Sequence, residues 1–137
     1  MNMQQYWLVK SDPEEYSLAD LEREGTTAWT GVRNYQARNY LRQMRVGDRV
    51  VVYHSGDERA AVGLARVAKA AYPDPTAEGE WDCVDLSFER WFGRPVSLAT
   101  IKATPALSSM VLLKQSRLSV MPLTAEEYRA LLDLAKG

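Results

Sequence analysis

The sequence predicts an α+β fold in which a curled mixed sheet packs against helices. Strand and helix patterns alternate near the start, strand patterns dominate the middle, and the end is helical, an order that does not fit a regular βαβ repeat. Of the 137 residues, 46% are hydrophobic, which is enough for one sizeable core. No internal repeat, low-complexity tract or linker divides the chain. These observations predict a single domain over residues 1–137.

The first elements are a strand and a short helix. Residues 6–10 alternate between two faces, as a short strand does, and Pro13 then ends the strand and begins a single helical turn. A helix is predicted over residues 18–24, because Ser17 can cap its start and Gly25 suits its end.

A second helix is predicted from Asn34 to Gly47. Its apolar residues recur at the spacing of one buried helical stripe. The stripe consists of Ala37, Tyr40, Leu41 and Met44. Arg38, Arg42 and Arg45 lie together to one side of the stripe, and this flank forms a local basic patch.

The sequence patterns in the middle of the chain predict three strands. Residues 49–54 are almost continuously apolar and β-branched, which indicates a central strand that is covered on both faces. Residues 60–70 form a second strand, in which Gly63 allows close packing against a neighbour. The prolines within residues 72–76 predict a loop. Residues 81–92 alternate again as a long strand whose core-facing residues are Val84, Leu86 and Phe88.

The C-terminal part returns to helix. Ser97 can cap a short helix through Lys102, and residues 117–120 resemble a last strand. Thr124 and Glu127 have the spacing of a capping box, which predicts a final helix.

Composition excludes several classes of protein. The chain has 17 Lys+Arg against 18 Asp+Glu and a net charge of -1, so it is not a uniformly basic nucleic-acid coat, and a polyanion must bind a local patch. No apolar run approaches the roughly 18 residues of a membrane span, and the start lacks the pattern of a secretory signal. A cytoplasmic or nuclear protein without a membrane partner is therefore expected. One cysteine and one histidine exclude structural zinc, and neither a metal nor a cofactor is expected.

Residues that could support catalysis have simpler interpretations. The sequence contains neither a Gly-rich phosphate loop nor a G-x-S-x-G nucleophile turn. His54 could act as a base for a nearby serine, although one structural hydrogen bond at a strand end explains it as well. Cys83 is interpreted as a buried, inert thiol. The cluster of Asp12, Glu14 and Glu15 is interpreted as a solvated acidic turn.

The segment from Trp29 to Asn39 crowds aromatic, amide and guanidinium groups together. Such a mixture suits a planar ligand, because an unstacked base offers a ring face, an edge with donors and acceptors, and a phosphate nearby. Gly31 would let the backbone approach that ligand. The alternative is that Trp29 belongs to the core, Asn34 only caps a helix and Arg38 is solvated.

Six segments occur in a characteristic order: YWLVKSDPEEY, TAWTGVRNYQARNYL, VGDRVVVYHS, VGLARV, AYPDPTA and RLSVMPLT. From about Tyr6 to Tyr128 they resemble the EVE domain, and W-x-G-V-R-N-Y-Q-A-R-N is the most distinctive of the matches. The resemblance implies a PUA-like fold, a curled mixed β-sheet or pseudo-barrel flanked by helices, related to the YTH domain that reads methylated adenine in RNA. It also implies an aromatic-lined pocket that reads modified bases, chiefly modified cytosines in DNA.

The resemblance carries over to individual positions. Arg33, Arg38 and Arg42 become candidates for holding the phosphate backbone. The positions implied for the base pocket are Lys10, Ser11, Trp29, Gly31, Asn34, Tyr35, Gln36, Tyr53, His54 and Ser55. The departures are small: Asp12 stands where many members have Glu, and Met121 where many have Gln.

The expected function is that of a non-enzymatic reader that accepts a flipped, methylated or hydroxymethylated cytosine from DNA. Its small net charge predicts modest, salt-sensitive binding. Restriction-system components are candidate partners, because bacterial members of the family often accompany such systems. Three alternatives stay open: binding of modified RNA in the manner of YTH domains, an enzyme that uses His54 or Lys10 as proton carrier on a nucleotide or modified base, and a scaffold for a partner protein.

Overall fold

The computed structural model describes residues 5–136 and is built around a six-stranded sheet. The strands are β1 (Tyr6–Ser11), β2 (Thr26–Ala28), β3 (Arg49–His54), β4 (Ala60–Pro73), β5 (Asp82–Ser97) and β6 (Val120–Leu123). Their order across the sheet is β2-β5-β4-β3-β1-β6, and only the pairing of β1 with β3 is parallel among these strands. The expectation that no secretory signal is present concerns residues 1–4 in part, which lie outside the described residues.

Five helices and one short 3-10 turn complete the described fold. The helices are α1 (Leu18–Glu24), α2 (Tyr35–Gln43), α3 (Leu98–Ala103), α4 (Val111–Lys114) and α5 (Ala125–Leu134), and the turn spans Pro105–Leu107. The predicted α+β class with a mixed sheet is confirmed. Within residues 5–136, no helix has the length and apolar content that crossing a bilayer requires.

Local sequence signals explain where the helices begin. Four side chains that were candidates for caps each accept a hydrogen bond from the backbone N–H three residues later. They are Ser17, Asn34, Ser97 and Thr124. The capping boxes of α1 and α5 are complete, since the carboxylates of Asp20 and Glu127 each accept the backbone N–H of the cap residue.

Several predicted boundaries are wrong. Helix α2 ends at Gln43, well before Gly47, because Met44 already has an extended backbone. The last strand begins at Val120, and β4 continues through Pro73. Prolines are tolerated at a strand end and in an edge strand such as β6, where the missing N–H costs no ladder hydrogen bond.

The core-facing pattern of β5 also departs from strict alternation. Val84 and Leu86 are buried as predicted, but Phe88 is only half-buried, and Cys83 is buried beside Val84. Register shifts between β4 and β5 cause this difference, because each irregularity changes which face the next residue occupies. The predicted burial of the Cys83 thiol is confirmed.

The predicted close packing at Gly63 is confirmed. A Cβ atom placed there would lie 2.4 Å from Leu18 Cδ2 and 2.5 Å from the carbonyl oxygen of Arg90. We expect Gly63→Ala to lower the free energy of unfolding by about 1–3 kcal/mol, because the backbone at Arg90 must shift to admit the methyl group. Urea unfolding followed by tryptophan fluorescence measures the change.

The control is Ala68→Ser on the exposed side of the same strand, which should leave stability nearly unchanged. A Gly63→Ala variant as stable as this control would show that β5 moves away from β4 without cost.

Candidate functional site

A cavity of about 380 Å³ opens where β1 ends, a volume within the usual range of small-ligand sites. Its lining residues are Lys10, Ser11, Asp12, Glu15, Tyr16, Thr27, Ala28, Trp29, Thr30, Gly31, Val32, Arg33 and Ser119. They come from β1, the turn after it, β2 with the segment that follows, and the residue before β6. Three strands separate β2 from β1 in the sheet, so the sheet curls to bring both to one cavity.

Trp29 forms one wall of this cavity and also belongs to the core. Its backbone N–H donates to the carbonyl oxygen of Val84 at 2.7 Å, which extends the pairing of β2 with β5. The indole is 9% exposed and meets the ring of Tyr16 edge to face, with centroids 5.8 Å apart. The core interpretation and the cavity position of Trp29 are therefore compatible.

Tyr16 is a cavity residue that sequence reasoning missed. Its hydroxyl donates to the carboxylate of Glu24, and burial together with this hydrogen bond raises the pKa of Tyr16 to about 12. The phenol is therefore neutral at physiological pH, and its ring is held against Trp29. The available signal was its place directly after the turn that follows β1.

Asp74 holds the segment that forms the cavity wall beyond Trp29. One carboxylate oxygen accepts the N–H of Gly31 at 2.9 Å and a guanidinium N–H of Arg33 at 3.0 Å. The other accepts the backbone N–H and the hydroxyl of Thr76 at 2.7 and 2.6 Å. Gly31 has φ of +86°, a conformation that favours glycine. The wall is thus fixed by one buried carboxylate.

The charge of Asp74 is stabilised despite its burial. Burial by itself would raise the pKa of Asp74, but the hydrogen bonds from Thr76 and Gly31 and the ion pair with Arg33 outweigh that effect. The pKa of Asp74 is therefore held well below its ordinary value. Sequence reasoning missed Asp74, although an Asp between two prolines is typical of a side chain that caps its own turn.

Polar groups line the cavity on the β1 side. Lys10 Nζ donates to the carbonyl oxygen of Ser116 at 2.7 Å and lies 6.0 Å from the ring centroid of Tyr53. Burial lowers the pKa of Lys10. The hydroxyl of Ser11 donates to the Tyr16 carbonyl oxygen at 2.6 Å. Asp12 and Glu15, interpreted from sequence as part of a solvated turn, are also among the residues that line the cavity.

The structure brings only part of the predicted site together. The residues at the cavity are Lys10, Ser11, Trp29, Gly31 and Arg33. Those that do not line it are Asn34, Tyr35, Gln36, Arg38, Arg42, Tyr53, His54 and Ser55. In this second group, Asn34 caps α2, Gln36 Nε2 lies 3.5 Å from Tyr40 Oη, and the Ser55 N–H donates to the carbonyl oxygen of Ser11.

Arg38 and Arg42 are engaged with the start of β5. Arg38 is mostly buried, and its guanidinium donates to the carbonyl oxygen of Glu80 at 3.1 Å. Arg42 pairs with the carboxylate of Asp82. Arg33 pairs with Asp74, but 38% of its side chain remains exposed. Among these three predicted phosphate contacts, Arg33 alone lines the cavity.

His54 makes two hydrogen bonds inside the protein. Its Nε2 accepts the backbone N–H of Leu18 at 3.1 Å, so Nδ1 carries the proton and donates to Glu58 at 2.9 Å. The ring is 4% exposed and lies outside the cavity. This geometry matches the structural interpretation of His54, and within residues 5–136 no serine hydroxyl is in hydrogen-bond contact with it.

We expect His54→Ala to lower the free energy of unfolding by about 1–3 kcal/mol, because it leaves the buried N–H of Leu18 without an acceptor at the start of α1. Glu58→Gln is the matched control: it keeps an acceptor for Nδ1 and should have a much smaller effect. Thermal and urea unfolding measure both variants. A His54→Ala protein with unchanged stability would contradict the structural role.

Comparison with known protein families gives one match over almost the whole chain. A family model described as the EVE domain matches residues 5–134. Human thymocyte nuclear protein 1 is 38% identical over 168 aligned residues, which cover 97% of this chain and 75% of the human protein.

Solved structures give the same picture. Protein Atu2648 from Agrobacterium tumefaciens has a TM-score of 0.93 and 44% identity, covering 96% of this chain and 92% of its own. The human THYN1 protein was solved in complex with DNA that contains 5-methylcytosine. It has a TM-score of 0.91 and 36% identity, and the match covers 98% of this chain and 99% of the human chain.

Proposed function

We propose, because this chain belongs to the EVE domain family, that it is a non-enzymatic reader that binds a modified cytosine of DNA in the cavity beside β1. The observation that carries the proposal is the similarity to human THYN1, whose structure contains 5-methylcytosine DNA. The human relative is also named as a nuclear protein, which agrees with a DNA ligand. The link to restriction systems stays a prediction from the resemblance.

The groups around the cavity complement a cytosine. Cytosine presents an amino donor at N4, which acidic residues can accept, and Asp12 and Glu15 are among the lining residues. Its ring acceptors suit the Lys10 ammonium, and its ring faces suit an aromatic wall such as Trp29. Val32 adds apolar surface that a 5-methyl group could contact. These residue types support a cytosine ligand over a purely electrostatic contact with DNA.

A base enters this cavity only after it leaves its stack. Unstacking costs a few kcal/mol, so the cavity must return that energy through stacking and edge hydrogen bonds. Long-range attraction contributes little, since the net charge of the chain is -1. We therefore propose that the base contacts set the affinity and that few phosphate contacts, led by Arg33, add to it.

The test is fluorescence-anisotropy titration with matched DNA oligonucleotides that carry cytosine, 5-methylcytosine or 5-hydroxymethylcytosine at one position, at two salt concentrations. RNA versions are titrated alongside. We expect a preference for a modified cytosine in DNA that persists when salt is raised, because base contacts release no counterions. The proposal would be overturned if all oligonucleotides bound equally and added salt weakened their binding to the same extent. A preference seen only with RNA would replace DNA with RNA as the ligand.

A further inference from the structure

A group of aromatic and cationic side chains lies beside the cavity, and its rings have no role in the proposed function. Tyr35 is 64% exposed and stacks on Trp81 with ring centroids 4.8 Å apart and planes 24° from parallel. The guanidinium carbon of Arg38 lies 4.9 Å from the Tyr35 centroid, and that of Arg33 lies 5.8 Å from the Trp81 centroid. We call these four residues the stacked cluster. It combines accessible ring surface with two cations.

Contacts with the rest of the protein hold the stacked cluster in place. Arg38 has only 12% of its side chain exposed and is fixed by the carbonyl oxygen of Glu80. The carbonyl oxygen of Trp81 accepts the backbone N–H of Asp74 at 2.8 Å. Tyr35 is the first residue of α2, directly after the Asn34 cap. The residues around the exposed Tyr35 ring are therefore already held in place, so little conformational entropy is lost when a ligand binds.

The stacked cluster is continuous with the cavity. Arg33 belongs to both, because it lines the cavity and also lies beside the ring of Trp81. Asp74 connects the same two places through its backbone contact with Trp81 and its side-chain contacts with Gly31 and Arg33. The stacked cluster therefore adjoins the wall of the cavity at Arg33.

A nucleobase is the occupant that this chemistry fits. Every base has a π-face that stacks on Tyr or Trp whatever its sequence, and the adjoining phosphate would meet the cation of Arg33. Three carboxylates lie nearby, and each is paired with an arginine: Asp74 with Arg33 at 3.0 Å, Glu80 with Arg38 at 4.0 Å, and Asp82 with Arg42 in direct contact. The acidic groups are thus partly compensated where the ligand backbone would run.

We propose that the Tyr35–Trp81 pair is a second stacking surface, which takes the nucleobase next to the modified cytosine. The preferred ligand is then DNA in which that neighbouring base is unpaired, as in a single strand or a locally opened duplex. This inference rests on the proposed function, because it assumes that a modified cytosine occupies the cavity. The alternative role of the pair is to stabilise the start of α2 without touching DNA.

The experiment is a double-mutant cycle in which one change is made in the protein and the other in the DNA. Single-stranded oligonucleotides carry one 5-methylcytosine, with an abasic site on its 5′ side, on its 3′ side or on neither. For the wild-type protein we expect one of the two abasic sites to weaken binding about tenfold, the usual effect of losing one stacked base. Tyr35→Ala should weaken binding of the intact strand about tenfold and make the protein insensitive to that abasic site.

Two variants serve as controls. Tyr35→Phe keeps the ring, so it should restore the sensitivity to that abasic site that Tyr35→Ala loses. Trp91→Ala removes another exposed aromatic side chain, one that donates to Glu22 outside the stacked cluster, and should bind like wild type. Circular dichroism and thermal unfolding establish that each variant is folded.

The outcomes separate the two proposals. If 5-methylcytosine is preferred but neither abasic site matters, or if the losses from Tyr35→Ala and the abasic site simply add, the second stacking surface is overturned and the proposed function stands. If the cycle shows coupling without a preference for the methylated base, the stacking surface stands and the proposed function fails. Absence of binding to every strand overturns both.

Discussion

Replacing Asp74 with alanine should lower the free energy of unfolding by roughly 3 kcal/mol, since hydrogen bonds to a charged group are each worth about 1.5–3 kcal/mol and do not add fully. The substitution removes one buried carboxylate that accepts from Gly31, Arg33 and Thr76. The preference for 5-methylcytosine should be lost with it, because Gly31 and Arg33 are no longer held in the cavity wall. Urea unfolding and anisotropy titration measure the two effects.

The pH dependence identifies the carboxylate as the cause. The pKa of Asp74 is lower in the folded protein than in the unfolded chain, so its contribution is fully present above the unfolded value of about 4. That contribution is lost as pH falls toward the folded value. The difference in stability between wild type and Asp74→Asn should therefore shrink below about pH 4. Arg33→Ala, which removes one of the bonding partners, should show a smaller loss at neutral pH.

Replacing Trp29 with alanine should abolish discrimination between methylated and plain cytosine, because the cavity loses the aromatic wall on which the base would stack. The indole is 9% exposed and packs against Tyr16, so the same change should cost about 3–5 kcal/mol of stability. Binding is compared by anisotropy titration at a temperature where unfolding curves show the variant to be folded.

Trp29→Phe separates the two effects. It keeps an aromatic face in the wall and should preserve most of the discrimination, with a smaller loss of stability. A folded Trp29→Ala protein that still prefers methylated cytosine would remove Trp29 from the base site and direct attention to Tyr16.

Features that depend on neighbouring residues were predictable from sequence. The caps at Ser17 and Thr124 and the buried stripe of α2 follow from side chains within one or two helical turns of each other. The three residues of β2 were missed because so short a strand has no recognisable period. Its existence depends on β5, more than fifty positions later in the chain.

The site was less predictable because its contacts join distant residues. Gly31 and Asp74 are 43 positions apart, and no spacing rule links them. The family resemblance supplied candidates such as Asn34 and His54, yet the fold gives both of these side chains hydrogen-bonding roles within the protein. A resemblance carries residue types from one chain to another, whereas their contacts depend on the three-dimensional path of this chain.

The position of β1 in the sheet has a consequence for biosynthesis. Tyr6 pairs with Arg49 on one side and with Leu123 on the other, so the N-terminal strand completes its hydrogen bonds only with the last strand. Contacts so far apart in sequence form late and slow folding. The cavity includes Lys10 from β1 and Ser119 beside β6, so it forms only after Ser119 has left the ribosome. A nascent chain that has not yet released Ser119 therefore lacks the complete cavity.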